Sequence, residues 1–266
     1  MLNKLAVLCK EIRMPEAAAE EVMEIAPALD LLKLAPGMQG LFAESQWMTG
    51  LDQIRQVLGE DPRGMKMLTV ELICALKARE RYREMGISDE IYLATMDCFP
   101  RFVKEHMASF GCYGFDREWW TVHQLSCLLF RVGLLEFELR EQDVALHIPT
   151  GAHLEPEAVD ASLAAIRETI ALHFPRWKDL PKVCHSWLLS PTMQELLPQD
   201  AKILKFQRRF AVTLTGEDNN DFLQWCYKRK DIPYRDLPED TSLQRKLKAK
   251  LLRGEFFLDA RGVLME

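Results

Sequence analysis

The sequence withholds most of the marks that assign a chain to a class at first reading. It holds seven cysteines, at positions 9, 74, 98, 112, 127, 184 and 226, yet has no CxxC pair and no histidine at zinc-ligand spacing. An odd, scattered set of this kind excludes a disulfide framework and reads as reduced thiols, with no metal site expected. No uncharged stretch approaches the ~18 residues that a membrane span needs, so no membrane partner is expected. The opening MLNKLAVLCKEIR has too short an apolar run for a secretory leader, and Lys10, Glu11 and Arg13 follow without a small-residue cleavage site. A cytoplasmic location is expected. There is no internal repeat, no low-complexity tract and no GxGxxG fingerprint. A concentrated basic patch is missing too: residues 1–115 carry a net charge of −4, residues 116–201 −6 and residues 202–266 +4. That imbalance is too mild for a nucleic-acid partner and suits, at most, one small anionic ligand.

What is present is ordinary for a globular protein. Hydrophobic residues make up 48% of the 266 and charged residues 28%, and a chain of this length buries most of its surface on folding. The first 110 residues read as helices. Leu5, Leu8 and Ile12 keep helical spacing, Pro15 opens PEAAAEEVMEIA, LAPGMQG reads as a break, and Gly59 ends TGLDQIRQVLG. The long segment GMKMLTVELICALKARERYREMG carries Leu68, Leu72, Ile73 and Leu76 on one stripe. Ser88 or Asp89 can cap the next helix, which must bend or stop near Pro100.

FGCYGF, residues 110–115, is the clearest boundary, with two glycines in a short loop. Asp116 can cap REWWTVHQLSCLLF. Beyond Arg131 the period shortens to two: Leu135, Phe137 and Leu139 alternate with Glu136, Glu138 and Arg140, the mark of a half-buried strand. Strands and helices then alternate. Strand Val144–Ile148 leads to helix Pro156–Phe174, strand Lys182–Leu189 to PTMQELL, and strand Lys202–Leu214 to helix Asp221–Lys230. A basic helix and a last strand complete the tail. The expected fold is α/β (α+β): a helical domain over 1–115, then a mixed-sheet domain over 116–266.

The segment HIPTGAHLEPE joins a strand to a helix. Helix N-termini carry unpaired N–H groups and partial positive charge, so such a unit can cradle an anion, and Gly151 allows close backbone approach. Glu155 and Glu157 beside the helix start oppose a phosphate, which leaves an ordinary βα turn as the other reading. His185 lies among large apolar neighbours in KVCHSWLLS, where a histidine is either a core residue or a base, and His147 lies in the preceding strand. Cys184 lacks the glycines of a nucleophile elbow. Arg208 falls on the apolar face of KILKFQRRFAVTLT, so it either meets a ligand phosphate or carboxylate or is turned outward by a bulge.

Taken together, FDREWWTVHQLSCLLFRVGLLEFEL, HIPTGAHLEPEAVDASL, CHSWLLSP and ILKFQRRF resemble a bacterial family of acyltransferase-domain proteins. That family pairs a helical N-terminal domain with a C-terminal domain like the GNAT-type N-acetyltransferases. The resemblance covers most of residues 100–230. It implies acetyl-CoA or another acyl-CoA as substrate, with direct transfer to a small-molecule or peptide amine. It also implies that strand Val144–Ile148 and the loop with Thr150, Gly151, Ala152, His153 and Leu154 hold the thioester and pyrophosphate. Ile148 would stand at the strand end, and Arg208 or the basic tail would meet other phosphates. His185, Glu136, Glu138 or His147 would serve as general base, and a homodimer is an admissible assembly. Two departures from the family pattern keep an alternative open: the loop glycines are reduced to Thr150-Gly151-Ala152, and PTMQELL has no tyrosine to act as acid. That alternative is a binding or regulatory protein that keeps the fold without turnover.

The cysteine pattern gives a first prediction. Titration of freshly purified protein under denaturing, non-reducing conditions will find seven thiols; recovery of five or fewer would contradict it.

Overall fold

Eight α-helices, two 3-10 turns and one short strand account for the elements of the first 132 residues. The computed structural model describes residues 1–218, 222–229, 231–255 and 258–265, with the side chains of 216–218 outside that description. The chain parts into two compact units, Met1–Val132 and Gly133–Glu266. None of the described helices is long and apolar enough to cross a membrane.

The first unit runs α1 (Leu2–Glu11), α2 (Glu16–Ile25), α3 (Leu31–Gly40), α4 (Trp47–Leu58), α5 (Met65–Glu84), α6 (Asp89–Met96), α7 (Cys98–Phe110), α8 (Glu118–Leu125) and β1 (Leu129–Val132). Helix α5 is buried nearly all round from Met65 to Ala75, as the central member of a bundle must be. Its Glu71 is fully buried, hydrogen-bonded to Thr121, and burial holds its carboxyl well above the ordinary range, that is, neutral. Ser88 caps α6 by accepting from Ile91 N, and the chain breaks at Asp97, ahead of Pro100. The loop 110–115 lies between α7 and α8, and the division of the chain comes later, after Val132.

The expected break at LAPGMQG is instead the body of α3, with Pro36 inside it. The glycines serve packing rather than turning. A Cβ on Gly37 would lie 2.7 Å from Ile54 Cγ1, and one on Gly50 would lie 2.7 Å from Gly37 O. Helices α3 and α4 therefore meet backbone to backbone. Two further expectations fail at α8. Asp116 does not cap it: Arg117 holds the cap position and pairs with Asp116 at 2.6 Å. The helix also stops at Leu125, because Cys127 adopts a positive φ of 61° and turns the chain into β1.

The second unit runs β2 (Leu135–Leu139), β3 (Val144–His147), α9 (Pro156–His173), β4 (Lys182–His185), α10 (Thr192–Leu196), α11 (Lys202–Gln207), β5 (Phe210–Asp218), a π-helical turn Leu223–Tyr227, α12 (Ser242–Leu252) and β6 (Leu258–Leu264). The mixed sheet has six strands in the order β1-β2-β3-β4-β6-β5. Val159, Leu163, Ile166 and Ile170 form the buried stripe of α9. Phe174 at its end meets Phe137 of β2 edge to face at 6.3 Å, and Ser162 Oγ accepts from Leu134 N at 2.9 Å. A separate apolar cluster gathers Trp187, Met193, Leu204, Phe222, Leu223 and Leu247.

Four sequence readings need correction here. Glu136 and Glu138 do not face solvent; they are 2% and 5% exposed, because both faces of β2 are covered. Strand β4 ends at His185, not Leu189: Ser186 Oγ accepts from Leu188 N at 3.1 Å and starts a 3-10 turn. Residues 202–207 are helical, not extended. Gln207 fixes that helix by donating to Leu189 O and Ser190 O at 2.8 and 3.0 Å. Arg208 therefore stands at a helix C-terminus, where it donates to Gln199 O and Oε1, and not on an apolar strand face. Of the helix expected over Asp221–Lys230, the two end residues lie outside the described residues, and the part between them includes the π-helical turn.

The α3–α4 contact reverses an ordinary rule. Gly→Ala inside a helix normally stabilises by about 1 kcal/mol. Gly50→Ala will instead destabilise by about 1–3 kcal/mol through overpacking, measured as a lower urea midpoint at unchanged m-value.

Candidate functional site

Strands β3 and β4 are parallel, and their ladder consists of two pairs, Val144 with Lys182 and Ala145 with Val183. Each strand continues for two more residues beyond the last pair, to His147 and to His185. On its other side β4 stays paired with β6 as far as His185 opposite Arg261, so the parting is specific to β3 and β4.

Register then fixes which side chains share a face. Paired residues point to the same side of a sheet, and alternate residues along a strand repeat that side. Glu136 and Glu138 on β2 face with Ala145 and His147 on β3. Val183 and His185 on β4 face with Val263 and Arg261, and hence with Asp259, on β6. One face is therefore polar: Glu136, Glu138, His147, His185, Asp259 and Arg261. The other carries Phe137, Leu139, Val144, Leu146, Cys184 and Ala260, and is the face on which Phe174, at the end of α9, meets Phe137.

Each parted strand ends on a histidine backed by a buried carboxylate. His147 Nε2 lies 3.1 Å from Glu138 Oε2, which also accepts from Arg140 Nε and Nη2 at 2.8 and 2.6 Å. His185 Nε2 lies 3.4 Å from Asp259 Oδ2. The His185 side chain is 43% exposed, against 18% for His147, and Asp259 and Glu138 are almost wholly buried. In the neutral ring a carboxylate at Nε2 favours the proton there and leaves Nδ1 as the basic atom. Of the four expected bases, the structure thus brings Glu138 and His147 together, places Glu136 opposite His147 in the β2–β3 register, and sets His185 apart on β4 with its own carboxylate.

Cys184 points to the apolar face. Complete burial, reinforced by the Asp259 charge, pushes its thiol up to about 12, which removes it as a nucleophile.

The loop 149–154 is built by two unusual backbone positions, Gly151 at φ 86° and Leu154 at φ 41°. Ala152 N–H closes the turn on Pro149 O at 3.1 Å and so is spent within the loop. The amides of Gly151, His153 and Leu154 meet no protein acceptor among the described residues. A Cβ on Gly151 would touch nothing within 4 Å, so that side of the loop is open. Leu154 is buried, His153 is exposed, and Ile148 follows β3 half-buried. The N-terminus of α9 has no side-chain cap. Lys202 is ion-paired with Glu155, and Arg209 is bound to Asp160 at 2.8 Å and to Pro156 O at 3.2 Å. The acid expected to repel an anion at Glu155 is thereby balanced. Lys228 donates to Thr150 Oγ1 at 2.9 Å and to Trp225 O at 2.8 Å, so a cation reaches the loop itself.

Sequence reasoning missed Asp259, Lys228, Lys202 and Arg209. In LDARGVL the charges at 259 and 261 alternate with Leu258 and Ala260, a period-two signal that marks a polar strand face. Lys228 carries no comparable signal, because it arrives from 78 residues away.

Family comparison divides the chain at residue 128, a few residues before the division after Val132. An N-acyltransferase N-terminal domain model matches residues 3–127, and a GNAT-like C-terminal domain model matches residues 129–264. The chain belongs to this GNAT-like family. Solved structures agree with the assignment. An acyltransferase in complex with decanoyl-CoA and teicoplanin is 26% identical, with a TM-score of 0.82 over 97% of this chain and 86% of that one. An acyltransferase in complex with CoA and 10C-teicoplanin is 25% identical, with a TM-score of 0.81 over 97% and 87%. No curated protein matches the sequence. As a member of the family, the chain combines a helical N-terminal part with a GNAT-like α/β part, and its parted β3–β4 pair lies inside the GNAT-like match.

The Glu138 cluster generates a prediction of its own. Glu138→Gln removes the charge shared by Arg140 and His147 and will cost about 1–3 kcal/mol, read as a lower midpoint in urea. An unchanged midpoint would show that the cluster contributes nothing to the fold.

Proposed function

We propose that the protein is an acyl-CoA-dependent N-acyltransferase that moves an acyl group directly to an amine. The observation that carries the reading is the parting of β3 from β4 with a carboxylate-backed histidine at each strand end. A thin, extended ligand would lie along the strand ends that this ladder leaves unpaired. The loop amides of Gly151, His153 and Leu154, with Lys228, would hold its pyrophosphate at the uncapped start of α9. Family neighbours that bind decanoyl-CoA and CoA support acyl-CoA as the donor.

The chemistry assigned to the chain is modest. A positioned amine attacks the thioester carbonyl, the C–S bond breaks, and the thiol of CoA leaves. Holding the two reactants in place supplies about 7–11 kcal/mol, and a general base adds roughly 10²–10⁴-fold. His185 is the base in this reading. It is the more exposed of the two histidines and has Asp259 beside it, whereas the carboxylate beside His147 also holds Arg140. The amine proton passes to His185 Nδ1 and from there returns to the departing sulfur. Arg208 is held by Gln199 and is given no step in this reading.

The alternative, a binding protein that keeps the fold without turnover, draws on α10, which offers no tyrosine to protonate the leaving thiolate. Calorimetry with CoA and decanoyl-CoA, followed by thiol release over a panel of amines, separates the two. His185→Gln will lower kcat by roughly 10²–10⁴-fold and leave CoA affinity within twofold of the unaltered protein. Gly151→Val will weaken CoA binding, at a cost to the fold of about 1–2 kcal/mol for a left-handed β-branched residue. Tight CoA binding with no acylated product across the panel would establish the alternative, and no binding of either thioester or CoA would refute both.

A further inference from the structure

Within the helical unit, α1, α3 and α5 enclose a half-open groove of about 620 Å³, a size typical of small-molecule sites. Each helix presents one stripe to it. Val7 comes from α1, Leu31, Ala35 and Met38 from α3 at helical spacing, and Ile73 and Leu76 from α5. Met38 and Ile73 are buried and form the floor, while Val7 is 54% exposed and forms the lip.

The charge of the rim decides what kind of ligand fits. Lys4, Lys77, Arg79 and Arg83 line it, against the single acid Glu80. Arg79 is bound to Glu11 at 2.6 Å and to Asp89 at 3.0 Å, and Arg83 is bound to Asp89 at 2.9 Å. Lys4 and Lys77 have no ion-pair partner among the described residues. The groove therefore joins an aliphatic trough to two uncommitted ammonium groups.

We propose that this groove binds an aliphatic carboxylate, a free fatty acid, with its tail along Val7, Ala35, Met38, Ile73 and Leu76 and its carboxylate at Lys4 and Lys77. The pairing is charge-complementary and amphipathic, as the lining is. This site stands apart from the reading of the GNAT-like part and does not depend on it.

The test uses the full chain and the fluorescent probe dansylaminoundecanoic acid. The probe will bind saturably, and dodecanoate will displace it at least about tenfold better than dodecyltrimethylammonium does. Ala35→Trp, which fills the trough, will abolish binding, and Lys77→Glu will weaken it about tenfold, both with unchanged far-UV circular dichroism and CoA affinity. If Ala35→Trp fails to fold, Lys77→Glu decides. Absence of probe binding would overturn the proposal. So would equal displacement by the cationic amphiphile, or binding unaffected by Lys77→Glu. Displacement of the probe by CoA itself would place it in the acyl-CoA site and overturn the proposal equally, whatever the fate of the acyltransferase reading.

Discussion

Two Cα pairs hold β3 to β4, and the layout of the second unit depends on that ladder being so short. A parallel pair gains stability with each ladder bond, so ending it early leaves backbone groups that must find other partners or a ligand. The neighbours compensate. On one flank β2 pairs with β3 over its full length, and on the other β6 pairs with β4. The two halves of the sheet are thus each secure, and the seam between them can open without loss of either. Asp143, just before β3, crosses the seam to Arg261, the β6 residue opposite His185, at 3.4 Å.

The polar face follows from the same seam. Burying Glu138 and Asp259 is expensive unless each charge has a partner. Histidine and arginine supply those partners: His147 and Arg140 for Glu138, His185 for Asp259. The helical unit solves a similar problem in the opposite way. Among the described residues Glu71 has no cation within hydrogen-bonding reach; burial raises its carboxyl, and Thr121 donates to it. Its stability contribution carries a sign: a raised folded-state pKa means stability that is complete below the unfolded value of 4.5 and is lost as pH rises toward the folded one.

Much of this was legible in the residues, and the failures have physical causes. Helix existence followed from apolar period and caps, and β2, β3, β4 and α9 fell near their expected places. The misreadings share one origin: a local pattern admitted two structures, and distant packing chose. LAPGMQG looks like a break until Gly50 is brought against Gly37. KILKF alternates like a strand, yet Gln207 anchors it as a helix on residues far behind it in sequence. Glu136 and Glu138 look solvated because period two reports alternation, not what covers each face. Of the site, the histidines and the loop could be named in advance. The alternation in LDARGVL marks Asp259 as part of a polar strand face but not as the partner of His185, and Lys228 carries no signal at all, since each comes from a distant part of the chain.

Strand order carries a consequence for how the molecule is made. In the sheet β6 lies between β4 and β5, yet it is the last of the three to leave the ribosome. Until β6 emerges, β5 has no neighbour in the sheet, and β4 is bounded on one side only. The β4–β6 and β5–β6 ladders therefore form only once β6 is available. The carboxylate behind His185 arrives with that strand. Fold completion and assembly of the His185–Asp259 pair are consequently one event in synthesis, so a partly made chain displays the histidine but not the group that orients it.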